Sequence, residues 1–358
     1  MSADAVSPIS RLTKPPALKP GDKVAAVTLS WGGPGTFPHR YLAGKMQFEK
    51  EFGLHVVESE HALRCPKWLA KNPRARAADL MAAFVDPSIK AIISTIGGDD
   101  SVRLLPYLDL DVIRRHPKIF MGYSDTTVTH LACFKAGLGS FYGPSFMSGF
   151  AENTGIFPYT AQWVRKTLFS TDPIGPIEPN TAGWTVERLE WADPDNQLRK
   201  RKCTASTGWK FLQGNGIVTG HLLGGCADVL EDLKGTPFWP SASDWTGAIL
   251  FLETSELAPP PKLFRSWLRN YAAQGIFNRI AAILFGRPGG HTLTPENFDA
   301  YDHSLLQVVR DEEGLSWLPI ISRMDFGHTD PMLTLPIGVR ATIDCYQKTL
   351  TLNESAVS

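Results

Sequence analysis

Apolar and polar positions follow two rhythms over the first 140 residues. Short apolar, β-branched runs at 23–29 (KVAAVTL), 54–57, 89–96 (IKAIISTI) and 118–121 predict buried strands. Between them, 39–52, 74–84, 99–105 and 125–135 space their apolar residues as helices do, and Gly53 and Gly137 end two of these. Alternating strands and helices predict a parallel sheet covered by helices on both faces. Such sheets hold ligands outside the carboxyl ends of their strands, so the loops after Ile96 and Met121 carry the interest.

From 169 to 214 the rhythm stops. Pro, Trp, Thr and charged residues follow without a period, which predicts a long connection across the surface. Trp184, Trp191 and Trp209 weigh against disorder there. Beyond it strands dominate: 216–223, 248–252 (AILFL), 280–285 (IAAILF), 319–324 and a hairpin of 339–344 with 349–352. The clearest helix among them is 263–273. The predicted fold class is α/β: an N-terminal parallel-sheet domain over 1–168, a connecting segment over 169–214, and a mixed α/β domain over 215–358.

Composition narrows the function. A chain of 358 residues can bury a large core in about two domains. Its 36 basic and 36 acidic residues cancel, which excludes a protein built to grip a nucleic-acid polymer. No run approaches the ~18 apolar residues of a membrane span. The Pro-rich lead-in through residue 22 has no apolar h-region, so no secretory signal is expected. Five scattered cysteines without C-x-x-C predict reduced thiols in a cytoplasmic protein, and no metal site.

The sharpest chemical feature is Gly122-Tyr123-Ser124-Asp125, between a predicted strand and a helix. A serine on such a turn exposes its hydroxyl and aims backbone N–H groups at a developing oxyanion. The fifth position is Thr126 rather than the glycine of G-x-S-x-G, and a simple helix cap at Ser124 or Asp125 would use the same residues. Gly97-Gly98-Asp99-Asp100 follows the neighbouring strand, where paired glycines admit a ligand close to the backbone or merely turn the chain.

A serine nucleophile needs a base, and the base an acceptor. His328, in DFGHTDP after a strand, leads the histidines. His291 is a loop alternative, while His130 and His221 sit within elements and read as structural. Glu253 closes the apolar run AILFL, where a carboxylate is costly unless paired. In the connection, the tryptophans could stack on a flat group beside the basic run Arg199-Lys200-Arg201-Lys202, or simply pin the segment to the body. The turn 30–35 lacks both G-x-G-x-x-G and a Walker lysine, which argues against a dinucleotide or P-loop site.

Together LKPGD, IGGDD, MGYSD, GHLLGGC, FLETSE, FGRPGG and DFGHTDPMLTLPIG, in this order from Leu18 to Asp344, resemble the LD-carboxypeptidases of serine peptidase family 66. The longer Trp-bearing connection is similar to the subgroup typified by microcin C immunity proteins. The resemblance implies an amidotransferase-like N-terminal domain and a smaller C-terminal domain with β-barrel character. It implies Ser124 as nucleophile, Glu253 and His328 as the other triad members, and the Gly98 and Asp125 amides as oxyanion hole. Trp184 and Trp191 would correspond to nucleobase-stacking residues. The resemblance also implies a cytoplasmic, metal-free homodimer without cofactor. Its expected partner is a small molecule: a peptidyl or aminoacyl nucleotide cleaved at an amide bond, or alternatively a murein tetrapeptide. A non-catalytic binder of a nucleotide-like ligand is the reading from another class.

Overall fold

The computed structural model describes residues 12–358, so the start of the Pro-rich lead-in lies outside the described residues. Strands β1 (Lys23–Val27), β2 (His55–Glu58), β3 (Ile89–Ser94), β4 (Ile119–Gly122) and β5 (Ser140–Tyr142) pair in parallel in the order β5-β4-β3-β1-β2. Strands β1, β3 and β4 alternate between two cores, the period of two expected of strands buried on both faces. Val24, Ala26, Ile93 and Met121 enter one core; Ala25, Val27, Ile92 and Phe120 enter a second, beneath the helices that carry Leu80, Phe84, Ile113 and Ala132. Helices Pro38–Phe52 and Thr127–Ala136 end on left-handed Gly53 and Gly137, as their sequence signals require.

The expected helix after residue 99 is instead a 3-10 helix, Ser101–Tyr107. Pro106 lies inside it and lacks the N–H that an α-helix would use.

The second sheet contains β6 (Gly175–Ile177), β7 (Lys210–Gln213), β8 (Ile217–Cys226), β9 (Ala248–Glu253), β10 (Ala282–Gly286), β11 (Ile320–Met324), β13 (Arg340–Asp344) and β14 (Thr349–Leu352). Its order is β6-β14-β13-β8-β9-β10-β11-β7. The centre, β8 to β11, is parallel, and antiparallel strands flank it on both sides. It is an open sheet, and no closed barrel forms among the described residues.

Strand β12 (Leu335–Ile337) leaves the second sheet's run of chain and pairs antiparallel with β5 of the first. One continuous core spans both sheets, joining Val24 and Ile93 to Leu223, Leu250, Phe285 and Ile321. The 169–214 connection is ordered as expected but not structureless, because it contributes the edge strands β6 and β7. Paired backbone bonds, Thr185 N–H to Asp330 O at 2.7 Å and Asp330 N–H to Thr185 O at 3.0 Å, stitch it to the loop after β11.

Candidate active site

The carboxyl ends of β3 and β4 meet those of β8, β9 and β11, and a cavity of about 590 Å³ opens where they meet. Ser124 stands two residues after the end of β4 with φ 62°, in the left-handed region that a residue with a Cβ avoids. That conformation costs on the order of 1–2 kcal/mol. It is held from both sides. The Ser124 N–H donates to the Tyr142 hydroxyl at 3.1 Å, and the Ser124 carbonyl accepts from the Thr127 hydroxyl at 2.7 Å.

Glu253, the last residue of β9, is fully buried, and His328 follows β11. His328 Nδ1 lies 2.7 Å from Glu253 Oε2, and its Nε2 lies 3.0 Å from Ser124 Oγ. The second Glu253 oxygen accepts from the Tyr142 hydroxyl at 2.5 Å. Both carboxylate oxygens are therefore satisfied, which is what a buried charge demands. Burial pulls the His328 imidazole down, but Glu253 and Glu256 outweigh it and hold its pKa well above the ordinary value. Tyr123 packs edge-on against the same ring at 4.9 Å.

Glycines make this approach possible. At Gly327, φ 94°, a Cβ would come within 2.6 Å of Glu253 Oε2. At Gly97 it would meet Ser124 Cβ at 2.9 Å. Gly98 has φ 151°, and a Cβ there would press on Ser30 Oγ at 2.1 Å and the Trp31 amide nitrogen at 2.7 Å. Gly98 and Asp125 both line the cavity beside Ser124. Among the described residues neither of their N–H groups donates to a protein acceptor. Asp125 turns its side chain inward, where it accepts from the Asp100 and Ser101 amides at 3.1 and 2.9 Å; burial raises its pKa. Asp100 is in turn clamped by the buried Arg76 at 2.6 Å. The IGGDD loop is thus locked to the loop that carries Ser124.

The histidine alternatives separate. His130 and His221 are buried and bound to Gly122 O and Asp244 O; burial lowers each to about 4. His291 does line the cavity, with Nδ1 3.0 Å from Val186 O.

The two expected stacking residues also separate. Trp191 lies on the cavity wall, with the Arg40 guanidinium 4.9 Å from its ring centroid. Trp184 does not line the cavity, which corrects the expectation for it. It is 5% exposed, packed on Phe298 and under the Arg287 guanidinium. Trp209 donates to Asp325 at 2.8 Å, and Asp325 also pairs with Arg287, so these residues brace the His328 loop. Of the basic run only Arg201 reaches the cavity, and it is bound to Glu152 and Asp330.

Tyr142, Glu256, Arg40 and Glu152 are site residues that the sequence reading did not single out. Glu256 had a signal, since it lies in the same LETSE segment as Glu253. Tyr142 had none, because its partner lies 111 positions away. Among the described residues, ligand atoms of three His, Cys or acidic side chains converge in two places. At one, Glu253 and His328 spend their facing atoms on each other beside Cys226. At the other, His61 and Asp79 are paired in the same way, at 2.8 Å, next to Glu60.

Chemically, a hydroxyl on a strained turn, an imidazole at hydrogen-bond distance and a buried carboxylate behind it form an arrangement able to generate an alkoxide-like nucleophile. The LD-carboxypeptidase N-terminal domain model matches residues 24–143, and the LD-carboxypeptidase C-terminal domain model matches residues 219–343. YocD of Bacillus subtilis is 32% identical, covering 93% of this chain and 96% of its own length. The microcin C7 self-immunity protein MccF of Escherichia coli is 29% identical, over 94% of this chain and 95% of its own. The crystal structure of an MccF-like protein from Streptococcus pneumoniae in complex with AMP superimposes with a TM-score of 0.83 at 32% identity, covering 93% of this chain and 99% of that one.

Proposed function

Because the chain belongs to the LD-carboxypeptidase family of peptidases, we propose that it is a serine hydrolase that cleaves an amide bond through Ser124, His328 and Glu253. The observation that carries this reading is the continuous contact from Ser124 Oγ through His328 to Glu253, at 3.0 and 2.7 Å. Ser124 attacks the substrate carbonyl as His328 takes its proton. Glu253 keeps the Nδ1–H tautomer and balances the charge that forms. The Gly98 and Asp125 amides receive the oxyanion, a contribution of about 3–4 kcal/mol per donor in comparable sites. His328 then returns the proton to the leaving amine, and water releases the acyl group. In this reading residues 1–168 bring the nucleophile, 169–214 form a wall of the substrate cavity, and 215–358 supply the acid and base.

The preferred substrate is a peptidyl or aminoacyl nucleotide. Trp191 on the wall offers a flat face, and the Streptococcus relative holds AMP. A Bacillus subtilis relative described as a probable murein peptide carboxypeptidase, 27% identical over 96% of this chain, supports a second substrate, a murein tetrapeptide. We further propose that the protein works in the cytoplasm as a homodimer, as the family resemblance implies. Incubation with an aminoacyl sulfamoyl adenosine and, separately, with a murein tetrapeptide tests the substrate. Loss of turnover in Ser124→Ala, with labelling of Ser124 by a fluorophosphonate in the parent protein, tests the mechanism. A protein that binds the nucleotide yet neither turns it over nor takes the label would be a binder instead.

A further inference from the structure

His328 Nε2 has two neighbours at the same distance. Ser124 Oγ lies at 3.0 Å, and Glu256 Oε2 also lies at 3.0 Å. These two contacts demand different imidazoles. To accept the serine proton, Nε2 must carry a lone pair. A carboxylate is acceptor-only, so to face it at 3.0 Å Nε2 must carry a proton. Glu256 does stay ionised: its hydrogen bond with His328 holds its pKa down to about 2 despite partial burial. With Nδ1 already against Glu253, the ring bound on both sides by carboxylates is an imidazolium. An imidazolium cannot act as a base.

Glu256 is also placed to leave. It sits on the turn after β9, its side chain is 52% exposed, and it lines the cavity. Glu253 has neither freedom, being fully buried and bound by Tyr142. The turn itself is anchored independently of Glu256, since Asp228 accepts from the Ser255 amide and hydroxyl at 3.1 and 2.8 Å. The side chain can therefore swing while its backbone stays fixed.

We propose that Glu256 is a displaceable latch on the base, a positioning residue that holds His328 away from serine activation until it swings off Nε2. This rests on the serine-hydrolase reading above. The groups facing His328 come from every element around it: Glu253 at the end of β9, Glu256 on the following turn, Ser124 and Tyr123 after β4, and Cys226 at the end of β8. Tyr142 acts behind Glu253, and His291 lies near enough to Glu256 to help hold it ionised. Of the two carboxylates, only Glu256 contacts the nitrogen that must take the serine proton.

The test needs no knowledge of the substrate. The rate at which a fluorophosphonate labels Ser124 is followed against pH in the parent protein, Glu256→Gln and Glu256→Asp. Removing the anion frees the neutral base at lower pH, so the midpoint for Glu256→Gln falls by about one pH unit. One unit below the parent midpoint it labels about fivefold faster than the parent, and further below the ratio approaches about tenfold. Plateau rates stay within about threefold, because the latch is already open there. Glu256→Asp, with its shorter reach, falls between. A histidine NMR titration of Glu256→Gln shows the same downward shift for His328. An unchanged midpoint in Glu256→Gln overturns the latch, as does a lowered plateau without a shift. Either result leaves the hydrolase reading in place. Absence of Ser124 labelling in every variant at every pH would instead remove the hydrolase reading itself.

Discussion

The Tyr142 hydroxyl donates to Glu253 at 2.5 Å while accepting the Ser124 N–H at 3.1 Å. One phenol thus ties the strained backbone of the first sheet to the buried carboxylate of the second. Burial and the Glu253 charge push its ionisation far up, so the hydroxyl remains a donor over the working pH range. Tyr142→Phe strips one donor from a buried carboxylate and one acceptor from Ser124. Chemical denaturation should show a loss of about 1–3 kcal/mol. Steady-state kinetics should show kcat/KM down by on the order of tenfold, mostly in kcat.

Ser124→Gly separates strain from chemistry. Glycine accepts φ 62° without penalty, so the variant should be inactive yet more stable by roughly 1 kcal/mol. Ser124→Ala should be equally inactive without that gain. Denaturation midpoints of the three proteins, measured side by side, check the difference.

Activity and the ion-pair contribution to stability should run in opposite directions with pH. His328 has a folded pKa raised above its unfolded value of about 6.5. Its pairing with the carboxylates therefore stabilises the fold fully below about 6.5 and fades as pH rises through the folded value. Turnover needs the neutral ring and should rise through that same value. A pH series of kcat/KM beside a pH series of unfolding free energy in the parent and Glu253→Gln reads both; in Glu253→Gln the stability trend should flatten.

Gly98→Ala should cost catalysis more than binding. Its Cβ has no room against Ser30 and Trp31, so the Gly98 amide must move. A displaced oxyanion donor lowers kcat by about 10²–10³-fold with KM little changed. Equal loss in both parameters would point to a general collapse of the loop.

The two tryptophans should behave differently. Trp184→Ala removes a packed side chain and should destabilise by about 3–5 kcal/mol. Trp191→Ala should leave stability nearly intact and raise KM for an aminoacyl nucleotide by about tenfold or more, the loss of roughly 1–3 kcal/mol of stacking. Thermal melts and initial rates separate the outcomes.

Strand-end residues were the legible part of this site. Gly98, Ser124, Glu253 and His328 each follow an apolar run, and a parallel sheet leaves little choice about where such residues point. The strands β5, β6 and β12 escaped because three residues carry no measurable period, and Pro176 and Pro336 stand in two of them; β7 lies at the end of the aperiodic connection. Trp184 and Trp191 look alike in sequence. What sorts them is which one finds Phe298 and Arg287 behind it, a property of the assembled fold. Glu256 lay in plain view, but its contact with His328 appears only when the loop after β11 returns.

Ser124 and His328 lie 204 positions apart. At a synthesis rate of roughly 5–20 residues per second, the serine exists for about 10–40 s before its base has been made. β12, which completes the edge beside β5, is made later still. A growing chain would therefore carry an unactivated hydroxyl, and competence would arrive in one late step rather than by degrees. Under the proposed mechanism, the order of synthesis by itself would hold the growing chain inactive until the second half has folded onto the first.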